Sequence, residues 1–110
     1  MINSRNKGKV YERQWAELLR ERGYTSARRG VQYCGKHGAA DVVCDELPCH
    51  FEVKSDERLN IYSAIEQACG DCPTGKWRCV AHTKRQKGWL VTMPAEDWLD
   101  LIKEWKERSC

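Results

Sequence analysis

The sequence predicts an α/β domain in which a mixed central sheet is flanked by helices. Three observations favour this fold. Segments with helical periodicity lie at the beginning, the middle and the end of the chain. Short apolar segments bounded by turn residues lie between them and indicate strands. The resulting order is helix, three strands, helix, two strands, helix, which is typical of helices packed on a sheet.

The first predicted helix covers residues 8–22, and Gly23 is a suitable C-terminal stop. Glu12 lies next to the apolar stripe, so it can face inward. Residues 1–7 are predicted to be a mobile basic arm. The stripe itself has helical spacing and consists of Tyr11, Trp15, Leu18 and Leu19.

Three strands are predicted next, over residues 24–33, 40–44 and 49–55, with turns at residues 34–38 and 45–48. A second helix follows, for which Asn60 is a good N-cap. Its predicted buried face has the spacing i, i+3, i+4, i+7, i+8 and consists of Ile61, Ala64, Ile65, Ala68 and Cys69.

The last part of the chain predicts two more strands, at residues 77–82 and 89–93, separated by the basic turn 83–88. Pro94 opens a final helix. One face of this helix is apolar and is expected to be core or interface; it carries Trp98, Leu101, Ile102 and Trp105.

The composition fits one globular domain over residues 1–110, since 41% of the residues are hydrophobic and five are Trp. No apolar run approaches the roughly 18 residues of a membrane helix. The N-terminus is polar and lacks the apolar region of a secretion signal. We therefore expect no membrane partner and a cytoplasmic location, in a bacterial, archaeal or phage-infected cell.

Seven Cys is a high and odd number, and without a secretion signal most are expected to be reduced thiols. Cys34, His37, Cys69 and Cys72 have a spacing that can in principle form a four-ligand zinc site. The simpler interpretation of Cys69 is a small hydrophobic residue on a helix face.

Charge is unevenly distributed, although the net charge is only +3. Residues 1–36 hold nine Lys or Arg and three Asp or Glu, whereas the remainder holds ten and thirteen. A basic first third beside an acidic site suits a polyanion that one region binds and another cleaves. A solvated charged face is the alternative interpretation.

The most informative motif is Glu52–Lys54, which follows Asp41 after ten intervening residues. Side chains alternate along a strand, so Glu52 and Lys54 point to the same face. With Asp41 arriving from a neighbouring strand, the set can hold a divalent metal beside a phosphate. These are the minimum components of a metal-dependent nuclease.

The motif and the order of elements resemble the PD-(D/E)xK nuclease superfamily, and within it the small archaeal and phage Holliday-junction resolvases. The resemblance covers nearly the whole chain. Ala40 stands where the commonest form of the motif has Pro. The segments that carry the resemblance are Asn6–Glu12, Ala27–Gly30, Gly38–Asp41, Phe51–Lys54, Ala64–Ala68 and Trp89–Thr92.

This resemblance implies a restriction-endonuclease-like αβββαβ core and a Mg²⁺ cofactor, for which Mn²⁺ can substitute. The implied metal ligands are Asp41, Glu52, the backbone carbonyl of Val53, and Glu12 from the first helix. Carboxylate oxygens suit these hard cations. The metal would polarise the scissile phosphate and lower the pKa of the attacking water.

Two further side chains are implied to act at the phosphate. Lys54 would orient the water and balance developing charge, and Gln67 would hydrogen-bond near it. His37, His50 and His82 are most simply structural or exposed, although His50 shares a strand face with Glu52. The candidate phosphate contacts, each also an ordinary surface residue, are Lys7, Lys9, Arg28, Arg29, Lys84, Arg85 and Lys87.

The expected function is therefore that of a Mg²⁺-dependent DNA endonuclease, with a four-way junction as the leading substrate. Two symmetric cuts need two sites, so a homodimer follows, through the last helix or a strand edge. A nuclease of the same superfamily that nicks, restricts or processes the ends of other DNA is the first alternative. A non-catalytic, zinc-stabilised nucleic-acid binder is the second.

Overall fold

The computed structural model describes residues 4–30 and 40–109, with side chains from residue 7 onward. Within them the chain is a mixed α/β fold with three helices and five strands, which confirms the predicted class. The helices are α1 (Ser4–Glu21), α2 (Ile61–Asp71) and α3 (Ala95–Arg108). The strands are β1 (Arg28–Arg29), β2 (Val42–Val43), β3 (Cys49–Lys54), β4 (Trp77–His82) and β5 (Leu90–Thr92).

The strands form one mixed sheet in the order β1-β2-β3-β4-β5. Only β3 and β4 are parallel among the described strands, and α2 connects them. Glu52 lies opposite Val80, and Lys54 lies opposite His82. The carboxyl ends of β3 and β4 therefore meet at one edge of the sheet, where open α/β sheets bind their ligands. Because β2 is antiparallel to β3, its first residues reach the same edge.

Side chains on the two faces of β3 alternate as the period of a strand requires. Phe51 and Val53 are buried with Trp15, Leu19 and other apolar residues on the side that α1 covers. On the opposite side, a smaller cluster is made by Ala64, Ala68 and Val80. Small residues on α2 allow this helix to approach the sheet closely.

Aromatic rings fix the position of α1 on the sheet. The ring centroids of Trp15 and Phe51 are 5.6 Å apart in an edge-to-face arrangement, and those of Trp15 and Trp89 are 5.2 Å apart. Tyr11 meets Trp89 edge to face at 6.5 Å. Such pairs contribute roughly 0.5–1.5 kcal/mol each beyond their buried area, so Trp89 joins the end of the sheet to α1.

Two predicted elements near the N-terminus differ from the structure. Helix α1 begins at Ser4, so the arm predicted for residues 1–7 is helical from residue 4 onward. Gly8 does not interrupt the helix, because a single Gly costs only about 1 kcal/mol. The predicted first strand is wrong over residues 24–27, which form a turn. Gly23 has a φ of 102°, and the N–H of Tyr24 donates to the carbonyl of Leu19 at 3.1 Å.

Helix α2 confirms its predicted cap and corrects one part of its predicted face. The Asn60 side chain accepts a hydrogen bond from the N–H of Ser63 at 3.1 Å. Cys69, predicted to be buried, is exposed and accepts a hydrogen bond from Arg78 at 3.2 Å. Ala64 and Ala68 are buried, whereas Ile61 and Ile65 are partly buried and pack against the same cluster.

Helix α3 is attached to the sheet through a charged contact rather than through its aromatic side chains. Trp98 and Trp105 are 50% and 65% exposed, so in the monomer they are not core. Asp97 is 7% exposed and accepts hydrogen bonds from the backbone N–H of Arg78 at 2.8 Å and from its Nε at 3.0 Å. The pKa of Asp97 is held low by the hydrogen bonds from Arg78, against the effect of burial.

None of the helices within residues 4–30 and 40–109 is long and apolar enough to cross a membrane. The five cysteines that the structure describes are free thiols, of which Cys44 and Cys79 are buried.

Replacing Asp97 with Ala is expected to destabilise the protein by roughly 2–3 kcal/mol at pH 7, because the backbone N–H of Arg78 loses its partner and its guanidinium keeps only the exposed Glu96 and Cys69. A carboxyl with a lowered folded pKa stabilises the fold above its unfolded value of 3.8. The difference from wild type should therefore shrink as the pH falls below that value. Urea unfolding at pH 7 and pH 3 measures both effects.

Asp100→Ala is the matched control, since Asp100 lies exposed on the same helix, and it should change stability by less than about 0.5 kcal/mol. Equal stabilities for the two variants would contradict the anchoring role of Asp97.

Candidate functional site

Asp41 and Glu52 are brought together by the pairing of β2 with β3. Val42 lies opposite Phe51 in this antiparallel pair, so Asp41 and Glu52 are neighbours on the opposite face. The N–H of Asp41 donates to the carbonyl of Phe51 at 2.9 Å, and Asp41 Oδ2 accepts from the N–H of Val53 at 2.9 Å. The Asp41 carboxyl is therefore held by backbone on β3 rather than free in solvent.

The Asp41 carboxyl is strongly perturbed by its surroundings. Burial raises the pKa of Asp41 to about 7, the charges of Glu52 and Glu12 add to the increase, and so does a hydrogen bond with Glu52; the Val53 amide opposes it. Near neutral pH the Asp41 carboxyl is therefore protonated for part of the time. Acids arranged in this way gain from a bound cation, which would remove both the repulsion and the proton.

His50 is the neighbour of Glu52 that the sequence did not assign to the site. Glu52 is 1% exposed and His50 is 2% exposed, and His50 Nε2 lies 3.0 Å from Glu52 Oε1. The contact fixes one oxygen of Glu52. The i, i+2 spacing on a strand signalled a shared face, but it did not show that the imidazole turns toward the carboxylate.

Lys54 and Gln67 are brought together by the packing of α2 on β3. Lys54 Nζ donates to Gln67 Oε1 at 2.8 Å. Lys54 is half-buried at the carboxyl end of β3, and Gln67 is exposed on α2. The amide therefore holds the ammonium group on the same face of the sheet as Glu52.

Glu12 reaches the site from α1 but is engaged by a cation. Arg29 Nε donates to Glu12 Oε1 at 3.0 Å, and both side chains are partly buried. Glu12 is close enough for its charge to raise the pKa of Asp41. Of the two adjacent arginines, Arg29 faces this cluster, whereas Arg28 is exposed and pairs with Asp45 at 3.3 Å.

Gly30 makes the approach of β1 to Asp41 possible. Its N–H donates to the carbonyl of Asp41 at 2.9 Å. A Cβ at this position would overlap the carbonyl oxygen of Ala40. Any larger residue would therefore displace the segment that carries Asp41.

The other candidate phosphate contacts lie on two surfaces. Lys7 is exposed and Lys9 half-buried on α1. Lys84, Arg85 and Lys87 are exposed on the turn between β4 and β5. This second group lies at the sheet edge that carries Lys54, because the N–H of Thr83 donates to the carbonyl of Lys54 at 3.1 Å.

The residues present fit a hard divalent cation held by two carboxylates. In the described part of the chain, no group of three or more His, Cys, Asp or Glu side chains forms a closed metal site. Mg²⁺ commonly binds to only one or two carboxylates, with waters and substrate phosphates completing its shell. The raised pKa of Asp41, caused mainly by its burial and increased by the charges of Glu52 and Glu12, is the observation that favours such a cation here.

The proposed zinc ligands are only partly described. Cys34 and His37 lie outside the described residues. Cys72 donates hydrogen bonds to the carbonyls of Pro73 and Lys76 at 3.4 Å and 3.3 Å. Since a zinc-bound cysteine is a thiolate without a proton to donate, these hydrogen bonds belong to the metal-free thiol.

Comparisons with known proteins find no match to this chain among family models, curated proteins or solved structures.

The raised pKa of Asp41 predicts a pH-dependent effect of Asp41→Asn without divalent metal. A folded pKa of about 7, above the ordinary value of 3.8, means that the stability contributed by this group is lost as the pH rises through 7. The Asn variant lacks that loss and keeps an oxygen for the Val53 amide. It should therefore unfold several degrees above wild type at pH 8.5, for a gain of about 1 kcal/mol, and show a smaller gain at pH 5.

Thermal unfolding in chelator at both pH values is the measurement, with Asp100→Asn as an exposed-acid control. If the gain in unfolding temperature of the Asn variant over wild type does not increase with pH, the pKa of Asp41 is not raised.

Proposed function

We propose that this chain is a metal-dependent DNA endonuclease with a restriction-endonuclease-like αβββαβ core. The observation that supports this most is the Asp41–Glu52 pair, in which burial and the neighbouring acids raise the pKa of Asp41 to about 7. A buried acid whose pKa is strongly raised beside other acids is a frequent mark of a functional site. Lys54, two residues after Glu52 on the same strand face, supplies the positive group that a phosphodiester reaction needs.

Asp41 and Glu52 would hold Mg²⁺ or Mn²⁺, with the carbonyl of Val53 and the carboxylate of Glu12 as further ligands. The cation would supply a Lewis acid for the phosphate and would lower the pKa of the attacking water. Glu12 is paired with Arg29, so it would take part either directly or by orienting that arginine toward the phosphate.

The protein's own groups would position the reacting atoms. Lys54, hydrogen-bonded to Gln67, would stabilise charge on the phosphate as the bond to the leaving oxygen breaks. His50 would keep Glu52 in one orientation, as residues behind metal ligands commonly do. Both roles use contacts that exist before substrate binds, which reduces the reorganisation required during reaction.

The substrate would be held by basic side chains on the two surfaces described above. Such contacts position DNA without reading its sequence. A four-way junction is the leading substrate, on the strength of the sequence resemblance, and paired cuts in it would require a homodimer. The exposed Trp98 and Trp105 on α3 and the edge strand β5 are the candidate dimer surfaces.

Glu52→Gln and Asp41→Asn are each expected to lower the cleavage rate by more than roughly 100-fold, because each removes a metal ligand. Changing a residue that only supports a metal ligand commonly costs up to about 100-fold. Junction binding should be retained, since each change also removes a negative charge that repels DNA. The assay compares a synthetic four-way junction with a linear duplex of the same arms, in Mg²⁺ and in chelator.

Glu66→Gln, an exposed change on α2, is the matched control and should cleave like wild type. Equal cutting of junction and duplex would retain the nuclease and remove the junction preference. Undiminished cleavage by both site variants would reject the site, and absence of cleavage with zinc in the purified protein would favour a binding module.

Binding to DNA should weaken steeply with salt, because several phosphates would be neutralised by Lys and Arg. Lys84→Gln should lower the slope of log affinity against log salt by about one unit, without changing sequence preference. Fluorescence anisotropy at salt concentrations from about 50 to about 200 mM measures this slope. A salt-independent affinity would contradict the basic surfaces as the DNA contact.

A further inference from the structure

A cavity of about 460 Å³ lies at the sheet edge that carries Lys54. It is enclosed by the segment that follows β3, at residues 56–61, and by residues 82–90 around the β4–β5 turn. The hydrogen bond from the N–H of Thr83 to the carbonyl of Lys54 joins the cavity to the candidate site. Its size falls in the range of roughly 300–1,000 Å³ that is typical of small-molecule sites.

The wall of the cavity contains a rigid aromatic side chain. Trp89 lines it while packing against Trp15 and Tyr11, with ring centroids 5.2 Å and 6.5 Å away. Leu59, Ile61 and Leu90 supply further apolar surface. An aromatic ring held by its neighbours is suited to stack on a flat ring, because no side-chain freedom is lost on binding.

Charged groups at the cavity balance one another. Lys84 and Lys87 lie on one segment, and Asp56 and Glu57 on the other. This balance does not favour a free anion inside the cavity. It favours a neutral ring whose attached phosphate stays at the mouth, near the lysines.

The basic turn is fixed before any ligand binds. The N–H of Lys87 donates to the carbonyl of Lys84 at 3.0 Å, and Thr83 Oγ1 donates to the carbonyl of Lys87 at 3.0 Å. The segments on either side are also tied together, since the N–H of Arg85 donates to Glu57 at 3.2 Å. The backbone of the turn that carries the two lysines is therefore held in place beside the cavity.

His82 adds an uncharged polar group to the same wall. Its Nε2 lies 2.8 Å from Thr92 Oγ1, and burial lowers its pKa. A neutral imidazole is suited to a base edge, which carries donors and acceptors but no net charge.

We propose that this cavity receives an unpaired nucleobase of the DNA substrate, stacked on Trp89 with its phosphate held by Lys84 and Lys87. This inference rests on the proposed action on DNA and adds a substrate feature to it. The feature is a nucleotide outside the duplex stack, next to the phosphate at which Lys54 would act. Unpairing a base costs least where pairing is already interrupted, so the cavity would select DNA with unpaired or strained nucleotides.

Gly88→Leu is the variant that tests the cavity. Gly88 lines it, and a Cβ at this position would meet nothing within 4 Å, so a leucine adds apolar bulk to the cavity wall without a clash at its Cβ. Gly70→Leu is the matched control, because a Cβ there also meets nothing within 4 Å and Gly70 is exposed on α2, away from the cavity.

The measurement is the affinity, in chelator, for two labelled duplexes that differ at one central position, one with an unpaired 2-aminopurine nucleotide and the other with an abasic nucleotide. Wild type and Gly70→Leu should prefer the base by about fivefold to a hundredfold, the range expected for one stacked base. Gly88→Leu should bind both duplexes equally, with the affinity that wild type has for the abasic one.

Equal binding of the two duplexes by wild type would overturn the proposal. A base preference that survives Gly88→Leu would also overturn it. If that variant in addition dissociates a dimer, the cavity would be assigned to a second copy of the chain. Because chelator prevents metal-dependent cleavage, these results are independent of whether Glu52 supports catalysis, and failure of the cavity is distinguishable from failure of the nuclease.

Discussion

The burial of Glu52 in β3 is the constraint on which the rest of the structure depends. A carboxylate with 1% exposure costs several kcal/mol unless other groups stabilise it. His50 contacts one of its oxygens, and Asp41 shares a hydrogen bond with it from β2. The pairing of β2 with β3 therefore does more than join two strands, because it places a second acid beside Glu52.

The opposite face of β3 provides the stability that this arrangement requires. Phe51 and Val53 pack with Trp15 and the rest of α1, and their burial contributes roughly 1.5–3 kcal/mol for each side chain. The same helix carries Glu12 toward the acids, so the apolar stripe of α1 also sets how near a third carboxylate approaches. Packing on one face of the strand and electrostatics on the other are coupled through this helix.

Local sequence patterns predicted most of the helices and strands. What they did not predict depends on contacts between elements that are distant in the sequence. Alternation gave the faces of β3, and Asn60 was identified as a cap because its partner lies only three residues away. The pairing of Glu12 with Arg29 and the need for Gly30 depend on how β1 approaches α1 and Ala40, which no local pattern records. The spacing on α3 left open whether its apolar face is core or interface, because an amphipathic pattern does not say what covers the apolar side; in the structure Trp105 is 65% exposed.

The sheet edge at the end of β3 combines charges of opposite sign that would otherwise conflict. In the proposed nuclease, the acids Asp41 and Glu52 would repel a phosphate backbone, whereas Lys84 and Lys87 would attract it from the next connection along the edge. Lys54 lies between the two groups, joined to the first by its strand and to the second by the hydrogen bond from Thr83. A polyanion held by the turn would approach the acids only when a cation neutralises them, so in the proposed nuclease binding and chemistry depend on separate groups.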